Sequence, residues 1–318
     1  MSKQSAAQNI PVVDLRAPWP EVVRGVGEAL EDIGFFAVAG HGVDEELTRA
    51  AYDAARAFFA LPQAVKDRYH LAHAKGQRGY TGFGTEKAKD ARTPDLKEFW
   101  QVGRVGVPDD HVVHRPYGPN PWPDAEVAGF RRAIGTLYQR LDALGAILLE
   151  ACAEHVGEPR ARFRDWCTDS DTIVRVIYYP PVAKDAPPGA VRSAAHEDIN
   201  LITLLSGATA EGLELLQRDG TWRPVHTGFD TIVVDAGDML QHATNGLYKS
   251  TTHRVVNPPD ARSDRFSMPC FIHPRTDVDL APLASCIART GGAARYPSRT
   301  AGEYLAQRLR EIGLDTRK

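Results

Sequence analysis

The sequence has 318 residues, of which 43% are hydrophobic and 25% are charged, a balance typical of a globular protein whose core can enclose a ligand. The formal net charge of −3 disfavours a partner dominated by negative charge, such as nucleic acid or an anionic membrane surface. Residues 1–15 contain no apolar signal segment, and no stretch is long and apolar enough to span a bilayer, so we expect a cytoplasmic protein.

The N-terminal part of the sequence predicts strands that alternate with helices. Two runs rich in β-branched and aromatic residues predict strands, at 10–15 and 34–40. Two further segments predict helices, at 19–33 and about 44–59. Segments rich in glycine or proline predict irregular structure, at 76–84 and 106–123.

One long helix, between Asp124 and Gly157, is the clearest secondary-structure prediction. Its apolar residues recur at spacings of three and four, namely Val127, Phe130, Ile134, Leu137, Leu141, Leu144, Leu148 and Ala151. This stripe is typical of an amphipathic helix that packs on a core, and Gly157 provides a stop.

After residue 170 the pattern changes to short runs of β-branched and aromatic residues separated by turn-forming residues. Six strands are predicted, at 172–179, 200–205, 213–217, 231–236, 253–256 and 266–272. Their lengths and spacing predict an antiparallel sandwich or barrel, followed by a last helix at about 299–312. We therefore expect a mainly β protein with flanking helices, in which a cap region, 1–123, and a core region, 124–318, form one cooperative unit.

A candidate metal site lies in the β-rich half. His196 and Asp198 are two residues apart, so on extended backbone both side chains point to the same face. His253 opens a later predicted strand and would complete a set of two imidazoles and one carboxylate. This ligand set is typical of non-haem Fe(II) oxygenases, because it leaves metal positions open for O₂ and for a chelating keto acid.

A candidate carboxylate site follows shortly after His253. Arg265 and Ser267 alternate along a predicted strand and therefore point to the same side. A guanidinium group with a neighbouring hydroxyl can bind a carboxylate through two parallel hydrogen bonds, which a lysine does less well. The two constellations together favour an oxygenase that binds a keto acid.

The sequence as a whole resembles the isopenicillin N synthase-like branch of the Fe(II)/2-oxoglutarate oxygenases. In the N-terminal half the similar segments are GFFAVAGHGV (34–43), AFFALPQAVKDRY (57–69), GYTGFG (79–84), KEFW (97–100) and NPWP (120–123). In the β-rich half they are YYPP (178–181), HEDINLITLL (196–205), GDMLQHATNGLYKSTTHRVV (237–256) and RFSMPCFIHP (265–274). The resemblance therefore extends over nearly the whole chain.

This resemblance implies a double-stranded β-helix (jelly-roll) core with a helical N-terminal cap, and the use of Fe(II), 2-oxoglutarate and O₂. The iron ligands it implies are His196, Asp198 and His253. Arg265 and Ser267 would bind the distal carboxylate of 2-oxoglutarate, and Tyr179 would donate a third hydrogen bond to it.

Several other residues lie within or near these motifs and differ from the family pattern or could compete for the same roles. Ile177 stands where many family members have asparagine, and Glu197 stands where threonine is common; Glu197 is expected to point away from the metal. Phe271 is expected to line the substrate pocket. Asp235 is a rival carboxylate that we expect in a turn, and His242 is a rival imidazole without a partner in the family pattern.

The resemblance implies an oxidoreductase that converts 2-oxoglutarate and O₂ to succinate and CO₂ while it hydroxylates, desaturates or cyclises a second, small-molecule substrate, here called the prime substrate. Three alternatives remain open: an iron oxidase that needs no 2-oxoglutarate, formation of ethylene from 2-oxoglutarate, and a catalytically silent ligand-binding protein on the same scaffold. No motif identifies the prime substrate, and none indicates an oligomeric state.

Overall fold

The computed structural model describes residues 10–86, 93–183, 186–226, 228–260, 262–312 and 314, so the outermost residues of the two predicted regions lie outside it. The helices of the described residues are α1 Trp19–Asp32, α2 Glu45–Phe59, α3 Gln63–Lys66, α4 Phe130–His155, α5 Arg162–Trp166, α6 Asp238–Ala243, α7 Ala284–Arg289 and α8 Ala301–Glu311. The strands are β1 Val12–Asp14, β2 Phe35–Ala39, β3 Gly79–Thr81, β4 Glu98–Val102, β5 Ile173–Tyr179, β6 Ser193–His196, β7 Ile202–Ala208, β8 Leu213–Leu216, β9 Trp222–Pro224, β10 Ile232–Ala236, β11 His253–Val255 and β12 Arg265–Ile272.

These strands form two sheets. The larger sheet has eight strands in the order β1-β2-β10-β7-β12-β5-β4-β3, and the smaller has four in the order β6-β11-β8-β9. All neighbouring strands are antiparallel except β1 and β2. The fold is a mainly β jelly-roll core with flanking helices, as the sequence predicts. Strands from before residue 124 join the larger sheet at both of its ends.

The long helix α4 supports the larger sheet. Its buried side chains include Ile134, Leu137, Leu141 and Leu148, which belong to the predicted stripe. Burying one such side chain stabilises the fold by about 1.5–3 kcal/mol. The helix begins at Phe130 rather than near Asp124, because Gly129 has a φ of +84°, a left-handed conformation that an α-helix does not contain.

The structure also contains strands that the sequence pattern missed. Residues 79–81, predicted to be irregular, form β3 and pair with β4. β4 itself is buried along its whole length although Glu98 and Gln101 interrupt its apolar residues. The Glu98 carboxylate is paired with Lys66 Nζ at 2.8 Å, a partner 32 residues earlier, so the local pattern gave no sign of burial.

No helix in the described ranges has the length and the apolar composition needed to cross a membrane.

Candidate active site

A cavity is lined by residues of both sheets. On β12 and β5, alternate residues face it because successive side chains of a strand point to opposite faces. The lining residues of β12 are Arg265, Ser267, Pro269 and Phe271, and those of β5 are Ile173, Arg175, Ile177 and Tyr179. The smaller sheet contributes His196 and His253, and helix α8 adds Leu305, Arg308 and Leu309.

Strand pairing brings the two predicted histidine ligands together. His196 ends β6 and His253 opens β11, and the two residues are directly opposite each other in the antiparallel register. Asp198 Oδ1 lies 3.8 Å from Nε2 of each histidine. One ligand atom from each residue lies within 4.8 Å of the other two, so a single metal ion could contact all three side chains.

The remaining polar atoms of these side chains are engaged by the protein. The Nδ1 atoms of His196 and His253 lie 2.7 and 3.2 Å from the carbonyl oxygens of Ala194 and Thr251. An Nδ1–H group that donates to a carbonyl leaves Nε2 as the unprotonated, metal-binding nitrogen. This arrangement turns both Nε2 atoms toward the carboxylate of Asp198.

The carboxylate of Asp198 is held in the same way. Its Oδ2 accepts a hydrogen bond from the hydroxyl of Thr203, which is itself 3.0 Å from Asn200 Nδ2. The carbonyl oxygen of Asp198 accepts from the backbone N–H of Asp238 at 2.7 Å. Oδ1 is thereby oriented toward the two histidines.

The electrostatics of the cavity favour a neutral imidazole. Removal from bulk solvent, and then the neighbouring His253, lower the pKa of His196 to about 4. Asp235 lies in β10 and is buried, whereas we expected it in a turn. Burial, and then the charge of Asp198, raise the pKa of the Asp235 carboxyl well above its usual range, which favours its neutral form.

Arg265, Ser267 and Tyr179 meet at one end of the cavity. Arg265 pairs with Tyr179 in the β12–β5 register, and its Cζ lies 5.1 Å from the centroid of the tyrosine ring. The guanidinium is oriented by its Nε, which donates to the carbonyl oxygen of Ala210 at 3.0 Å. Its Nη1 is buried and has no hydrogen-bond partner in the described part of the chain, so the group could accept a carboxylate from a ligand.

The wall of the cavity also contains a charge network that the sequence pattern did not reveal. Lys97 Nζ lies 2.8 Å from both Glu86 Oε1 and Asp95 Oδ2. Arg175 Nη1 lies 3.0 Å from Glu86 Oε1, and Arg175 Nε donates to Gln101 Oε1 at 2.6 Å. Burial raises the pKa of Glu86, but the charges of Arg175 and Lys97 outweigh this effect and lower the pKa to about 2, so these groups are ionised.

One signal in the sequence could have identified this network. Arg175 interrupts TIVRVIYY, an otherwise apolar and aromatic run, and such an interruption in a buried strand indicates a paired or ligand-binding group. Phe271 also lines the cavity, and its ring centroid lies 5.4 Å from Arg175 Cζ.

The two other residues considered from the sequence are engaged elsewhere. Glu197 accepts a hydrogen bond from the hydroxyl of Thr252. His242 belongs to α6, and its Nε2 lies 2.7 Å from the carbonyl oxygen of Pro297. Neither side chain joins the group formed by His196, Asp198 and His253.

Two family models and a known relative match most of this chain. A family model described as the 2OG-Fe(II) oxygenase superfamily matches residues 170–274, and one described as non-haem dioxygenase in morphine synthesis N-terminal matches residues 10–125. The 2-oxoglutarate-dependent dioxygenase caaD of Aspergillus niger is 33% identical over 275 residues, which are 83% of this chain and 84% of that protein.

Solved structures give the same result. A 2OG-Fe(II) oxygenase family protein from Caulobacter crescentus superposes with a TM-score of 0.85 at 39% identity, covering 96% of this chain and 100% of that one. A full-length Neurospora crassa protein in complex with alpha-KG and thymine superposes with a TM-score of 0.82 at 27% identity, covering 95% and 96%. The chain therefore belongs to the 2OG-Fe(II) oxygenase superfamily and is an oxidoreductase that uses Fe(II), 2-oxoglutarate and O₂.

Proposed function

We propose that His196, Asp198 and His253 hold the iron through the two Nε2 atoms and Asp198 Oδ1. The observation that supports this most directly is that these three atoms converge in the cavity while Nδ1 of each histidine and Oδ2 of the aspartate are engaged by the protein. Two imidazoles and one carboxylate fit Fe(II) and leave positions for other ligands. Iron bound there would supply the activation of O₂.

We propose that Arg265, Ser267 and Tyr179 bind the distal carboxylate of 2-oxoglutarate. The unpartnered Nη1 of Arg265 supports this, since a buried guanidinium nitrogen without an acceptor is costly until an anion binds. The hydrogen bond to Ala210 fixes the plane of the guanidinium. The co-substrate would then extend from this end of the cavity toward the iron ligands.

The prime substrate is proposed to be a small, polar and uncharged molecule bound beside Arg175 and Phe271. Lys97 and Arg175 are already neutralised there by Glu86 and Asp95, so a substrate charge would have no free counter-charge on this wall. The ring of Phe271 offers an apolar face beside the polar groups. Thymine, bound by the Neurospora crassa protein, is a molecule of this kind.

In this proposal the enzyme hydroxylates, desaturates or cyclises that molecule while 2-oxoglutarate is converted to succinate and CO₂. The side chains that surround the site exclude water and orient the substrate beside the iron. It stays a prediction that residues 1–123 and 124–318 form one cooperative unit, and so does the cytoplasmic location.

The test is to measure O₂ consumption and succinate formation with and without 2-oxoglutarate, over a panel of small neutral heterocycles and their carboxylated analogues. We expect both signals to require 2-oxoglutarate, and a neutral compound to stimulate them. Arg175→Met should reduce that stimulation while the slow succinate formation without prime substrate continues. Oxygen consumption without 2-oxoglutarate would contradict the proposal in favour of an oxidase, and 2-oxoglutarate binding without any turnover would favour a silent scaffold.

A further inference from the structure

A second arginine lies behind the proposed 2-oxoglutarate site. Arg192 immediately precedes β6 and has 0% of its surface exposed. Its backbone N–H donates to Asn257 Oδ1 at 3.0 Å, and its Nη2 donates to the carbonyl oxygen of Ser263. Ser263 is two residues before Arg265, so the Arg192 guanidinium lies at the end of β12 where the co-substrate carboxylate is expected.

The charge of Arg192 has no ion-pair partner in the described part of the chain, although the charge of Asp264 favours it from a distance. Its Nε and Nη1 are buried without a hydrogen-bond partner, and no carboxylate forms an ion pair with it among the residues that the structure describes. A guanidinium group does not lose its proton in a protein, so the charge persists. An isolated buried charge is strongly destabilising unless an opposite charge or several hydrogen bonds compensate it.

A like charge lies close by. Arg265 Nη1 is also buried without a partner. Burial, and then the charge of Arg265, lower the pKa of Arg192 below its usual range, which indicates that the two guanidinium groups repel each other. Arg192 is buried behind the cavity wall rather than lining it, but its charge adds to that of Arg265 in attracting a carboxylate group that binds beside Arg265.

We propose that Arg192 is a second cation of the distal-carboxylate site, a positioning residue that increases the affinity for 2-oxoglutarate through its charge. This inference rests on the proposed role of Arg265. A purely structural role would instead have Arg192 tether the segment before β12 through the carbonyl oxygen of Ser263. The two roles differ in how the protein discriminates between a keto acid with a distal carboxylate and one without it.

The experiment compares two probes, 2-oxoglutarate and 2-oxovalerate, which has a methyl group in place of the distal carboxylate. Their dissociation constants are measured calorimetrically with the full-length, Mn(II)-loaded protein, so turnover is not needed. Arg192→Met should weaken 2-oxoglutarate binding by about tenfold, because a nearby cation that attracts the distal carboxylate is lost, and should leave 2-oxovalerate binding nearly unchanged. The melting temperature without ligand should not fall, because a buried charge without an ion-pair partner has been removed.

Two further variants separate charge from structure. Arg192→Lys keeps the charge and should keep most of the preference for 2-oxoglutarate. Arg78→Gln is the matched control, since Arg78 is also fully buried with an unpartnered Nε but forms an ion pair with Asp171. This control should lower the melting temperature and leave the preference between the two probes unchanged.

Any of three results would overturn the inference. Arg192→Met could weaken the binding of both probes equally, or it could be less stable than the wild type or unfolded without ligand. Arg192→Lys could lose the preference for 2-oxoglutarate over 2-oxovalerate. If the wild-type protein does not bind 2-oxoglutarate at all, the proposed function fails. If the wild type prefers 2-oxoglutarate and Arg192→Met has the same preference, only the inference about Arg192 fails.

Discussion

The hydroxyl of Thr203 is expected to control the affinity for iron without contacting the metal. It donates to Asp198 Oδ2 and is 3.0 Å from Asn200 Nδ2. Thr203 is 3% exposed, so water cannot easily replace the lost donor in Thr203→Val. In this variant Asp198 Oδ2 would lack its hydrogen-bond donor, and the Asp198 carboxylate would have to be ordered when the metal binds.

The expected size of this effect follows from the charge of the acceptor. A hydrogen bond to a charged group contributes about 1.5–3 kcal/mol, which corresponds to a loss of about tenfold to a hundredfold in affinity. Groups that orient metal ligands show effects in the same range. The assay is an anaerobic calorimetric titration of the metal-free protein with Fe(II).

Thr48→Val is the matched control for this prediction. Thr48 is 5% exposed, and its hydroxyl donates to the carbonyl oxygen of Asp44 in the first turn of α2. The control should lose some stability and keep its affinity for iron. Equal dissociation constants for Thr203→Val and the wild type would refute the role of Thr203.

Three other predictions test the fold and the site. Glu197→Gln should bind Fe(II) with unchanged affinity in the same titration, because its carboxylate accepts from Thr252 and is not part of the group formed by His196, Asp198 and His253; a large loss would contradict this assignment. Gly27→Ala should lower the free energy of unfolding by about 1–3 kcal/mol in denaturant titrations, since a Cβ there would lie 1.9 Å from the His155 ring. Gly135→Ala is the control: this position has open space around it, so the substitution should raise the free energy of unfolding by about 0.5–1 kcal/mol. Burial lowers the pKa of His273 to about 4, below the usual value of 6.5, so the unfolded chain binds this proton at a higher pH than the folded chain does. The free energy of unfolding of the metal-free protein should therefore fall by up to about 3 kcal/mol as the pH falls from 6.5 to 4. His273→Asn should show a smaller loss.

The sequence predicted those parts of the fold that depend on local pattern. The stripe of α4 and the apolar runs of β5, β7 and β10 were all recognised, because spacing alone indicates which face is buried. β4 was missed because its polar residues are neutralised by partners far away in the sequence, as Lys66 neutralises Glu98. Local pattern cannot reveal a charge pair that forms only in the folded chain.

The same distinction applies to the candidate site. His196, Asp198, His253, Arg265 and Ser267 could be proposed from the sequence because they occur in compact motifs whose chemistry is specific. The roles proposed for Thr203 and Arg192 depend on contacts that only the sheet register and the folded loops create, namely those with Asp198 and Ser263. Asp235 was misplaced because a carboxylate in a buried strand is rare without a partner.

The most direct test of the proposed site is an anaerobic titration of the metal-free protein with Fe(II) and then with 2-oxoglutarate, followed by visible absorption. We expect the weak charge-transfer band of an iron-chelated keto acid to appear in the wild type, to be absent in His196→Ala and to need more 2-oxoglutarate in Arg265→Ala. A wild-type protein that binds iron but shows no band, or a His196→Ala protein with an undiminished band, would contradict the assignment of this site.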